Sequence, residues 1–154
     1  MVVRTVVGQK VGELFQGIMR ICLIVREKGQ LPISWGGNEG RCVIRNANVS
    51  LIVAWRSRYL NISADYSLTI SEWATAMPIP SERRMFIVEP TAICETIYMP
   101  DLSIAREYGW KTANGRFMSS ANLADECVKQ FINLALRFDR GEVTPFSAFG
   151  GHRS

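Results

Sequence analysis

The chain reads as an α+β domain, an antiparallel sheet of about five strands with an N-terminal helix and a C-terminal helix packed on it. Three observations predict this. Apolar residues recur at three- and four-residue spacing near both ends of the chain, they alternate with period two through its middle, and residues 49–71 hold the longest run that reads as paired strand. The 154 residues fit one domain, 1–154, with an irregular tail from about residue 142. With 47% hydrophobic and 21% charged residues, a disordered chain is excluded.

The first helix is expected from Gln9 to Lys28, where Val11, Leu14, Phe15, Ile18, Cys22 and Val25 form one stripe and Gly29 follows as a stop. Its end, Ile21 to Val25, is apolar all round and also fits a strand. Leu31 to Trp35 and Arg41 to Arg45 then read as a hairpin about the glycine-rich turn Gly36 to Gly40.

From Val49 onward, Val49, Leu51, Val53 and Trp55 share one face, and Ile52 and Ala54 share the other with Arg56 and Arg58. A strand apolar on both faces belongs in the sheet's middle with both sides covered. Tyr66, Leu68 and Ile70 point inward on the next strand, while Ser67, Thr69 and Ser71 point outward.

Pro78 and Pro80 break regular structure, Met85 to Val88 resumes it, Ile93 to Tyr98 adds a further strand, and Pro100-Asp101 marks a corner. Leu102 to Met118 reads as loop. The second helix is capped by Asn122, carries Asp125 and Glu126 in its first turn, and stops at Gly141 after the stripe Leu123, Cys127, Phe131, Leu134 and Phe138.

The residue inventory narrows the chemistry. The only histidine, His152, lies near the C-terminus between glycine and arginine. General-base work needs a rigidly held group, so Ser-His and Cys-His mechanisms and histidine-rich metal sites are disfavoured. Cys22, Cys42, Cys94 and Cys127 are too far apart for a C-x-x-C motif and read as reduced, mostly core residues. Gly36 to Gly40 lacks the lysine and hydroxyl of a phosphate loop. No catalytic residue, metal site or cofactor is predicted. The apolar run at Met1 to Val7 is too short for a signal core and is followed by a charged amphipathic segment, and no run approaches the roughly 20 apolar residues of a membrane span. A cytoplasmic protein is the expectation.

Charge is distributed unevenly. Nine basic residues face three acidic ones, Glu13, Glu27 and Glu39, between Met1 and Arg58, a net +6 in a chain of net +4. Arg56 and Arg58, flanked by Trp55 and Tyr59, offer phosphate contacts beside stacking faces, and Arg41, Arg45, Arg83 and Arg84 would join them if the strands bring them together. The competing reading makes Trp55 and Tyr59 core residues bracketing a solvated turn.

With little catalytic apparatus, the function these features favour is a small non-enzymatic binding or assembly protein that holds a protein partner or copies of itself. Trp110, Phe146 and Phe149 are its candidate contacts. The alternatives are nucleic-acid binding through the arginine-rich N-terminal third, or a ligand-binding or enzymatic domain with a cavity between sheet and helices.

Overall fold

A computed structural model of the chain describes residues 2–29, 31–57, 66–82, 92–102 and 107–144. Their order is α1 (Val2–Glu27), β1 (Ser34–Gly37), β2 (Arg41–Arg45), β3 (Ser50–Ser57), β4 (Tyr66–Trp73), β5 (Ala92–Leu102), β6 (Tyr108–Thr112), β7 (Phe117–Met118) and α2 (Ser120–Asp139). The seven strands form one antiparallel meander in sequence order, and both helices pack on one face of it. The α+β architecture is as the periodicities predict, with seven strands where about five were expected.

α1 begins seven residues earlier than the amphipathic pattern suggested. Val7 buries on the same stripe as Val11, Leu14 and Ile18, and this burial outweighs the modest helix propensity of valine. The strand alternative for Ile21 to Val25 fails for a related reason: the helical phase buries Cys22 and leaves Leu23 and Ile24 facing out. α1 crosses α2 closely, since a Cβ on Gly17 would lie 3.0 Å from that of Ala124.

β3 behaves as its two apolar faces require. Leu51 and Val53 enter the main core with Leu68 and Ile70 of β4, and Ile52 packs on the other face with Val43 of β2. The register runs from Ser50 opposite Trp73 to Ser57 opposite Tyr66. β1 takes in Gly36 and Gly37, which had read as turn; the turn itself is held by Asn38, whose Oδ1 accepts from the amides of Gly40 and Arg41, each at 2.9 Å.

The stretch expected as loop is structured. β6 pairs with β5 from Leu102 opposite Tyr108 to Tyr98 opposite Thr112, and β7 adds two residues. Gly109 is required there, because a Cβ would meet the Met118 carbonyl oxygen at 2.5 Å and the Phe117 ring at the same distance. Pro100 lies within β5 and marks no corner. It sits past Tyr98, the last β5 residue paired with β4, where a missing N–H is tolerated.

α2 is capped by Ser119, not Asn122: the Ser119 hydroxyl accepts from the Asn122 amide at 3.1 Å, which moves Asp125 and Glu126 beyond the first turn. Gly141, at φ +75°, follows its end as predicted. The expected strand at Met85 to Val88 and the tail from Pro145 onward lie outside the described residues.

Candidate interaction surface

α2 is anchored to the inner face of the sheet at two places. At its start, Ser120 accepts from the buried indole N–H of Trp110 at 3.0 Å and donates to the Lys10 carbonyl at 3.0 Å, which links β6, α2 and α1. Trp110 also meets Trp55 edge-on, and it is wholly buried. As a residue of the core, Trp110 does not offer the partner contact expected of it. Trp55 likewise turns inward, packed against the main core. The structure therefore favours the core reading of Trp55 over a base-stacking one.

The second anchor lies at the opposite end of the same face. Glu72 of β4 is buried, and its carboxylate accepts from Gln130 Nε2 at 2.9 Å and from the Arg137 guanidinium at 2.8 Å, both on α2. A buried carboxylate needs such partners, so this group works as a clamp between sheet and helix. Cys94 faces Glu72 across the strand pair and is exposed, contrary to the expectation of a core thiol. Partial burial and the neighbouring Glu72 carboxylate push its thiol up to about 11, so at neutral pH it is a protonated and poor nucleophile.

Cys22, Cys42 and Cys127 are buried as expected. Burial raises Cys22 and Cys42 to about 12 each and raises Cys127 as well. Among the described residues no group of histidine, cysteine and carboxylate side chains is placed to hold a metal ion.

The outer face of the sheet divides into two parts. Over β1 to β3 the chain covers itself: residues 74–82 fold back from β4, with Met77 packed on Val43 and Ile52 and Ile79 against Gly36. Ser50 holds this strap by donating to the Thr75 carbonyl and accepting from the Met77 amide, both at 2.7 Å. Arg45 closes it, donating to the Met77 carbonyl at 2.9 Å and bidentately to Glu82 at 2.6 and 2.7 Å. A Cβ at Gly36 would lie 2.3 Å from Ile79 Cγ2, so glycine lets the strap lie flat.

Farther along, the outer face carries Ile97 and Met99 of β5, which are 53% and 37% exposed. Glu95 lies at one end of this strip, and the ion pair of Asp101 with Lys111 at the other, 3.3 Å long. An apolar centre with a charged rim is the usual anatomy of a protein interface. The sequence marks Ile93 to Tyr98 as a strand, but alternation alone gives no sign of which of its faces the helices cover.

The arginine set does not form one free patch among the described residues. Arg45 is committed to Glu82 and the strap, and Arg41 lies at the other end of β2, roughly 13 Å away at about 3.4 Å per residue. Arg56 is placed on β3 by its backbone; Arg58, Tyr59, Arg83, Arg84, Phe146 and Phe149 lie outside the described residues.

A depression of about 260 Å³ lies between α1 and α2, lined by Glu13, Gln16, Arg20 and Ile21 on one side and Ala121 and Ala124 on the other. It is not the cavity between sheet and helices that a ligand-binding reading calls for. Among the described residues no helix is long and apolar enough to cross a membrane. No family model, curated protein or solved structure matches the chain.

Proposed function

We propose that the protein is a small binding or assembly protein that acts through protein–protein contacts, with the outer face of β5 as its contact surface. The observation that carries this reading is the pair Ile97 and Met99, exposed side by side on a sheet face whose other part the chain covers with its own strap. Antiparallel sheets commonly leave one face to water, and that face is ordinarily polar. The carboxylate Glu72 is engaged in holding α2, and the exposed thiol of Cys94 is protonated at neutral pH, so neither speaks for catalysis.

Light scattering on the full chain isolated from its source tests the proposal. A stoichiometric protein that accompanies the chain, and is lost on Ile97→Glu, is expected. A chain that behaves as a 17.3 kDa monomer and co-purifies with nothing contradicts it.

A further inference from the structure

One outward stripe of α1 is built in a different way from the rest of the helix. Arg20, Leu23, Ile24 and Glu27 recur at spacings of three, four and seven and so share a face. Leu23 and Ile24 are exposed at 39% and 48% near the helix end. Neither Arg20 nor Glu27 has an ion-pair partner among the described residues. The nearby Arg26 is turned onto the Trp35 ring, 4.6 Å from its centroid, and makes no ion pair with Glu27.

We infer that α1 pairs antiparallel with α1 of a second copy, about a two-fold axis passing between Leu23 and Ile24. Such an axis sets Leu23 of each copy against Ile24 of the other and, in the same register, sets Arg20 against Glu27 twice. Opposite charges thus flank an apolar centre on both sides, which a two-fold interface requires of a single self-complementary patch. The geometry also answers a local mismatch. Glu27 is the last residue of α1, at the negative end of the helix dipole, and an arginine of the second copy placed there offsets both the carboxylate and the dipole.

The stripe borders the depression between α1 and α2 through Arg20, so the contact extends toward Ala121. Two apolar side chains and one helix face make a small interface of the transient class, and self-association therefore depends on concentration. This surface is separate from the β5 strip and stands or falls without it.

Sedimentation equilibrium of the full chain between about 10 μM and 1 mM reads the association directly. The wild type is expected to show a monomer–dimer equilibrium, with Ile24→Glu weakening it at least about tenfold. Arg20→Glu and Glu27→Arg should each weaken it severalfold, and the double reversal should restore it, because it rebuilds both pairs with exchanged signs. Ile97→Glu should leave the dimer intact. A chain monomeric throughout, or a double reversal no tighter than the single ones, overturns the inference. Self-association abolished by Ile97→Glu and indifferent to Ile24→Glu would also overturn it, and would assign that contact to β5. All four positions are exposed, and circular dichroism of each variant confirms that the fold is kept.

Discussion

The indoles of Trp55 on β3 and Trp110 on β6 meet edge-on, their centroids 5.8 Å apart and their planes at 77°. Three strand steps of about 4.8 Å separate β3 from β6 in a flat sheet, so the contact reports a sheet curled toward the helices. The two rings fill the space this curl encloses. Trp110→Ala should cost about 3–5 kcal/mol, as for other fully buried large-to-alanine changes, measured by denaturant unfolding. Ser120→Ala should cost about 1–3 kcal/mol by leaving the buried indole N–H without its acceptor.

The Glu72 clamp gives a sharper test, because its single and double variants move in opposite directions. Arg137→Leu removes the cation from a buried carboxylate and leaves it only neutral partners, Gln130 and Cys94, and should cost about 2–4 kcal/mol, somewhat below a fully buried pair because Arg137 is part exposed. Adding Glu72→Met should recover most of this loss in the same unfolding assay. A double variant no more stable than Arg137→Leu would show that the ionic contact is not what ties α2 to β4.

Stability should fall at alkaline pH. The folded-state pKa of each buried thiol is raised, to about 12 for Cys22 and Cys42. A raised pKa contributes stability that is intact below the unfolded thiol value, about 8.5, and is lost as pH rises from there toward about 12. Unfolding free energies at pH 7.5, 9 and 10.5 check the direction, and Cys42→Ala should lessen the slope. The same physics makes Cys94 slow to alkylate at neutral pH despite its exposure, and Glu72→Gln should quicken it by removing the neighbouring negative charge.

The strap across β1 to β3 depends on two small features of the sequence. Gly36→Val should force Ile79 off its seat, and Glu82→Ala should release Arg45; each is expected to lower stability by about 1–3 kcal/mol. The Glu82 variant should also raise proteolysis within residues 74–82. Arg45 is expected to behave as a structural residue, so Arg45→Ala should destabilise the fold more than Arg41→Ala does.

What could be read in the sequence follows from how much each element depends on distant ones. The two faces of β3 were legible because Leu51 and Val53 alternate with Ile52 and Ala54, and no partner need be known to see it. The helical stripes of α1 and α2 were legible for the same reason. β6 was not: Tyr108 to Thr112 is short and contains Gly109, whose presence makes sense only once Phe117 and the Met118 carbonyl are in place. With β6 unseen, Trp110 looked like an aromatic in a loop, and its burial could not be foreseen. The exposed pair on β5 was hidden by symmetry, since both faces of Ile93 to Tyr98 carry apolar residues and only the helices decide which is covered. Among the described arginines, the engagement of Arg45 was not legible, because its partner Glu82 lies 37 positions away beyond two prolines.

Parallel affinity isolation from the source cells, with the wild-type chain and with the Ile97→Glu, Met99→Lys double variant, tests the central claim most directly. Recovery of a defined protein with the wild type and its loss with the folded double variant is the predicted result. Recovery of the same protein by both chains would show that the outer face of β5 is not the contact surface.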